Sequence, residues 1–349
     1  MRGETRAVVT GLFVYPIKSC RGIAIEQSAL SLTGLAYDRL YVIGRPGVED
    51  GGRTARFVSQ RQEPQLCQLV PELDLESSTL RVRSKVRPEL EPLELPLEVS
   101  KERTADTQVR IWSDIVPAID FGGEDWFAAA LDDQLSYPVH IYRMPATFER
   151  TVDPERAFLS PSFDSVVGFA DAFPVLLTSM QSLAELNRRI ASQSGVAHQV
   201  PMSRFRPNIV IDALPLNEER VSAVQRRSLE PFEEDTWKRI QIGEQVTLLV
   251  AKPCSRCRIT TTDQDTGRVD DAFREPLRTL ETFRKQPLGL IFGQNLAPEY
   301  PRRSGQLLRV GDVVQVLEWQ TNDSSPWWWQ RLYRGFWGRA SRPERPTAS

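Results

Sequence analysis

Short runs in which apolar and β-branched residues alternate with polar ones fill the first third of the chain. VVTGLFVYPIKS, GIAIEQSALSL, DRLYVIGR, ARFVSQRQ, CQLVPEL, TLRVRS and QVRIWSDIVPAIDF carry the two-residue period of strands, and Gly, Pro or charged residues interrupt them. This pattern predicts a meander or small barrel. Residues 124–135 change the rhythm, because Trp126, Phe127, Ala130 and Leu131 fall at helical spacing. YPVHIYRM then returns to strand, and the stretch from Pro145 to Ala170 reads as an irregular connection and a domain hinge.

The second half opens on a helix with an expected capping box of Ser182 and Glu185, apolar positions at Leu183, Leu186 and Ile190, and a stop at Gly195. NIVIDALP follows as a strand. Residues 216–235, LNEERVSAVQRRSLEPFEED, are too charged for a core and read as a surface insertion. KRIQIGEQVTLLVAKP and GQLLRVGDVVQVLEW each read as a strand pair turned at Gly-Glu or Gly-Asp. Strands without regularly interleaved helices argue against a doubly wound parallel sheet. The predicted class is mainly β with a few helices (α+β): an N-terminal β-barrel-like domain followed by an antiparallel β-barrel.

A length of 349 residues suits two domains. Lys and Arg total 44 against 46 Asp and Glu, so the chain has no global field to gather nucleic acid, which is not an expected partner. No run reaches the roughly 18 apolar residues of a spanning helix, and the opening MRGETRAVVTGLF lacks the layout of a signal peptide. The expected compartment is therefore cytoplasmic. The four cysteines, at 20, 67, 254 and 257, are too few and too uneven for a disulfide scaffold and read as reduced thiols. With only His140 and His198 present, Ser-His-Asp hydrolysis and multi-histidine metal sites are poor fits.

The strongest chemical signal is KPCSRCRITTTDQDTG, residues 252–267, directly after the strand VTLLVAK. A zinc site would want a second Cys or His pair that is not nearby. A thioredoxin-type dithiol would want a helix where RITTTD is β-branched. A single thiolate ligand to a soft metal is the third reading, with Arg256 and Arg258 favouring the thiolate, and inert core thiols are the fourth. In SRFRPNIVI, Arg204, Arg206 and Asn208 alternate at strand spacing and so share one face. Two guanidiniums and an amide there suit a phosphate or a polar heterocycle, or else a solvated face paired with carboxylates. YPIKSCRG and the following Asp38-Arg39 add cations at turns, weak evidence by themselves.

Taken together and in order, YPIKSCRG, DRLYVI, SQRQEPQL, FADAFPVLLTSMQSLAELN, RFRPNIVI, CSRCRITTTDQDTG and IFGQNL resemble the successive motifs of MOSC-domain proteins. The branch resembled is the mitochondrial amidoxime reducing component and its bacterial relatives. The resemblance runs from about Val8 to about Glu318 and implies three regions. These are an N-terminal MOSC β-barrel domain over 1–145, a MOSC domain that binds the molybdenum cofactor over 146–320, and an aromatic and Arg-rich tail over 321–349. It implies a molybdenum–molybdopterin cofactor with Cys257 as the metal ligand and catalytic thiolate. Lys18, Ser19, Arg39, Arg206, Asn208, Ser255 and Arg256 would bind the rest of that cofactor. The implied activity is reduction of small N-hydroxylated substrates, such as amidoximes and hydroxylamines, with the oxygen leaving as water.

No G-x-G-x-x-G fingerprint marks a nicotinamide or flavin site, so electrons are expected from a separate carrier protein. In eukaryotic members of the family that carrier is a b-type cytochrome with its reductase. The alternative is a non-catalytic cofactor carrier or a sulfur carrier. The family's sulfurases also hold an aminotransferase-like region, for which this chain is too short. Two departures stand out: Gln264 occupies a position where relatives often have proline, and the signal-anchor of mitochondrial members has no counterpart. In the tail, Trp329, Leu332 or Tyr333, and Phe336 could share a helical face with Arg331, Arg334 and Arg339 elsewhere. That composition suits a peripheral membrane helix, the mitochondrial outer membrane included; packing on the barrel or an irregular end is the other reading.

Overall fold

Two closed sheets organise the computed structural model, which describes residues 6–31, 33–49, 53–151, 166–194, 199–214, 228–299 and 305–320. Strand β1 spans Arg6–Val14. The first barrel follows it with β2 (Tyr41–Glu49), β3 (Thr54–Phe57), β4 (Thr107–Ile111), β5 (Asp114–Asp120) and β6 (His140–Arg143). These pair in sequence order, and β6 closes back onto β2 through Ile141 opposite Ile43; only β3 and β4 run parallel. The second barrel uses β7 (Val175–Ser179), β8 (Ile209–Ala213), β9 (Trp237–Ile242), β10 (Val246–Arg256), β11 (Gly289–Pro298) and β12 (Val313–Trp319). Its order is β7-β8-β1-β12-β9-β10-β11, with β11 closing onto β7. The first strand of the chain is thus a stave of the second barrel, with Leu12 opposite Ile209 and Ala7 opposite Val314.

The mainly β class and the two barrels agree with the alternation in the sequence. Along β10, Val246, Leu248 and Val250 are buried while Thr247 and Leu249 are partly exposed. With Leu12, Leu177, Ile209, Ile240 and Leu296 they fill the second barrel. Each such side chain contributes about 1.5–3 kcal/mol on burial. Val42, Val109, Val116, Tyr142 and Phe169 form a second cluster, in the first barrel.

Several expectations fail for local reasons. Helix α1 spans Glu124–Ala130 and stops short of Leu135, because Asp132 and Asp133 take φ 53, outside the helical region. Helix α2 spans Met180–Ser194, so Ser182 lies inside it and caps nothing. Its hydroxyl donates to Glu234 Oε1 at 2.7 Å, and Glu185 pairs with Arg188 and Arg189 instead of closing a capping box. Gly195 lies outside the described residues. GQLLRVGDVVQVLEW is not a hairpin: Leu307–Arg309 pairs with Gln27–Ser31, whereas β12 pairs with β9 and β1.

The described flanks of the expected hinge are anchored. Arg150, buried, donates to the carbonyls of Gly168 and Ala170 and pairs with Asp114. The expected insertion over 216–235 is also not all surface. Residues 215–227 lie outside the described set, but Leu229 sits in the second barrel's core and Glu234 is fully buried. Burial, and then the neighbouring Asp235, push the Glu234 carboxyl up to about 8, so it can stay protonated and neutral there. A third helix, α3 (Leu277–Phe283), packs beside α2. Among the described residues no helix is long and apolar enough to cross a membrane, and the tail from 321 lies outside them.

Candidate functional site

A register shift between Pro253 and Ser255 distorts the end of β10 against β11, and a 3-10 turn over Arg258–Thr261 then reverses the chain. Cys257 sits between the two in an extended conformation, and its carbonyl accepts the Thr260 N–H at 3.0 Å and the Thr260 hydroxyl at 2.9 Å. RITTT is therefore one tight turn, neither strand nor α-helix. It fixes Cys257 at the rim where the two barrels meet.

The segment after β1 supplies the opposite wall. Asp38 accepts the Tyr15 N–H at 2.8 Å and pairs with Arg39, whose guanidinium lies 4.4 Å from the Tyr15 ring. Arg206 lies 4.3 Å from the same ring. Lys18 is buried, donates to the Phe169 carbonyl at 2.8 Å and pairs with Asp171. Burial pulls the Lys18 ammonium below its ordinary value, and Asp171 partly restores it. Gly168 permits this approach, because a Cβ there would stand 2.7 Å from the Arg39 carbonyl oxygen.

The strand-face expectation for Arg204, Arg206 and Asn208 does not hold. Met202–Phe205 is a 3-10 turn and Arg206 takes φ 55, so the two-residue period is broken. Arg204 turns inward toward Asp263 at 3.7 Å and the Glu275 carbonyl at 3.4 Å. Arg206 and Asn208 nevertheless reach one cleft of about 340 Å³, which Lys18, Ser19, Arg39, Ser255, Arg256 and Cys257 also line. Asn208 is already engaged: its Oδ1 accepts the Leu176 N–H and its Nδ2 donates to the Phe13 carbonyl, both at 3.1 Å.

The cleft is strongly unbalanced in charge. Among the described residues, Lys18, Arg39, Arg61, Arg206, Lys252 and Arg256 line it against the single carboxylate of Asp171. Burial lowers the pKa of Arg206, and among the described residues no carboxylate pairs with it. Arg256 Nε is buried without a hydrogen-bond partner among the described residues. The arrangement asks for an anion.

The arginine assignments around the thiols differ from the sequence expectation. Arg256 Nη1 donates to Cys254 Sγ at 3.0 Å, and Arg258 extends to Asp271, with both of those side chains exposed. The donor to Cys257 Sγ is Arg61 Nε, at 3.2 Å, from the first barrel. Among the described residues, no three Cys, His, Asp or Glu side chains are gathered to hold a metal by themselves. Sequence reasoning overlooked Arg61, Trp112, Asp171 and Lys252. The first three lie within SQRQ, RIWSD and FAD, and although SQRQ and FAD open segments of the family resemblance, a segment does not reveal which of its members line the cleft.

Residues 6–134 match the MOSC N-terminal beta barrel domain and residues 164–315 match the MOSC domain. The chain belongs to the MOSC family. It is 31% identical over 320 residues to mitochondrial amidoxime-reducing component 1 of Danio rerio, covering 89% of this chain and 85% of that protein. It is 30% identical over 284 residues to mitochondrial amidoxime reducing component 2 of Rattus norvegicus, covering 79% and 72%. The molybdenum cofactor sulfurase of Bos taurus is 29% identical over 285 residues, but those make up 78% of this MOSC chain and only 29% of the sulfurase.

Proposed function

We propose that this MOSC protein binds the molybdenum cofactor with Cys257 as the metal's protein ligand. We further propose that it reduces small N-hydroxylated compounds, such as amidoximes and hydroxylamines, with electrons from a separate carrier protein. The observation that carries this reading is the convergence of Cys257 and six cations on one cleft whose described lining holds a single carboxylate. That donor set fits the group: a thiolate suits a soft transition metal, and guanidiniums suit the phosphate of a pterin. Among the described residues no carboxylate pairs with Arg206 and no acceptor meets Arg256 Nε, and Ser19 and Ser255 line the same space. Lys18, Arg39 and Asn208 are tied to the protein and shape the cradle.

When bound, the molybdenum supplies two-electron redox chemistry. The chain's own residues hold the cofactor, orient it through Cys257 and wall the cleft with Trp112 and Phe173. The relatives named as amidoxime reducing components support the reductase reading, and the sulfurases support a cofactor-handling alternative. The test is molybdenum content and turnover of an aromatic amidoxime with an artificial electron donor, in the parent and in Cys257→Ala. Near-stoichiometric metal with turnover in the parent, both lost in the variant, is expected. Full metal without turnover favours a cofactor carrier, and a parent without metal overturns the proposal.

A further inference from the structure

We propose that Arg61 tunes the reduction potential of the metal bound at Cys257, by donating a hydrogen bond to the ligand sulfur from the other barrel. The inference rests on the cofactor reading above and deepens it. Arg61 is a positioning residue in this scheme, acting on the metal only through the thiolate.

The geometry of Arg61 is held on three sides. Its Nε donates to Cys257 Sγ at 3.2 Å, its guanidinium carbon lies 4.6 Å from the centre of the Trp112 ring, and its Nη2 is 3.8 Å from Asp171 Oδ2. Trp112 is itself constrained. It takes φ 56 in the turn between β4 and β5, its Nε1 donates to Asp171 Oδ1 at 3.0 Å, and its ring meets the edge of Phe57 at 4.9 Å. A stacked guanidinium has few other orientations, so the N–H that faces the sulfur is pre-aimed. The Arg61 side chain is 29% exposed, which leaves its field on the sulfur only partly screened.

A donor on a thiolate draws electron density from the sulfur and makes it a weaker ligand. Hydrogen bonding around a cysteine ligand is a general control on the potential of the metal it holds. A weaker thiolate donor disfavours the more oxidised, more positive metal and raises its potential. Cys254 cannot divert this donor, because Arg256 already serves its sulfur. The two thiols of the C-S-R-C motif are therefore served by different arginines, and the one that faces the proposed metal ligand comes from the domain that does not carry it.

The experiment is a redox titration of the full-length, cofactor-loaded protein, with the thiolate-to-metal absorption band recorded alongside. In molecules that hold molybdenum, Arg61→Met should lower the midpoint potential and shift that band to longer wavelength, and Arg61→Lys, which keeps a donor, should fall between Arg61→Met and the parent. A loaded Arg61→Met protein with parental potential and spectrum overturns the inference and leaves the cofactor reading intact. If Arg61→Met does not retain metal, Trp112→Leu frees the guanidinium while keeping the Arg61 donor that faces the sulfur. A smaller shift in the same direction then supports the inference, and no shift overturns it. A parent that holds no molybdenum fails the cofactor reading, and the inference falls with it.

Discussion

The four cysteines form two pairs with opposite surroundings. Cys20 and Cys67 are fully buried, and desolvation pushes both thiols up; the donor on the Cys67 sulfur is an uncharged amide, Gln68 Nε2 at 3.4 Å. Cys254 and Cys257 are only half-buried, and each sulfur accepts a guanidinium N–H near 3 Å, at 3.0 and 3.2 Å respectively. Desolvation keeps the first pair as small apolar fillers, whereas charged donors at an open rim prepare the second pair for chemistry. What separates the pairs is burial, together with the charged donors that only Cys254 and Cys257 meet among the described residues.

The largest test of that contrast is Cys257→Ala, which should remove nearly all bound molybdenum by metal analysis, while Cys254→Ser keeps most of it. Arg206→Ala should weaken cofactor retention by about 10–100-fold, as loss of a supporting contact typically does, read from the rate of pterin release. Cys20→Ser should leave the metal in place but lower stability by about 1–3 kcal/mol in urea denaturation, since it buries a hydroxyl without a designed partner. In native, cofactor-free protein, iodoacetamide should label Cys254 and Cys257 and spare Cys20 and Cys67 until urea is added. Equal labelling of all four would erase the distinction between the pairs.

The smallest expected effect extends the same logic to a carboxyl. Burial raises Glu234 to about 8, above its unfolded value, so its contribution to stability is complete below the ordinary carboxylate range and is lost as pH rises through about 8. The urea midpoint of the parent should fall between about pH 5 and about pH 9, and Glu234→Gln should flatten that fall.

Strands were legible because an alternating pattern has a single reading on a sheet with one buried face, as β10 illustrates. Partners were less legible than strands. Gly311 sits between Leu307–Arg309 and β12 where a hairpin turn would, yet the two strands go to different neighbours. The residues proposed to hold the cofactor came from motif resemblance and line one cleft, whereas the periodic argument for Arg204, Arg206 and Asn208 failed at a 3-10 turn. Arg61 and Trp112 were invisible because their importance lies in a contact across barrels that no local spacing encodes. Glu234 was misread because a charged run does not reveal which of its members will be neutral.

The placement of β1 governs the order of assembly during translation. Its apolar residues Ala7, Val9 and Leu12 are made well before β8 and β12, yet they pair with β8 and with β12 around Val314. The second barrel cannot close until β12 has been made, whereas β2 through β6 can complete their own barrel around residue 143. Until then Ile23–Ile25 is the one described partner available to β1, opposite Leu12–Val14, and the rest of its pairing waits for β8 and β12. That is the long-range pairing that slows folding and invites association.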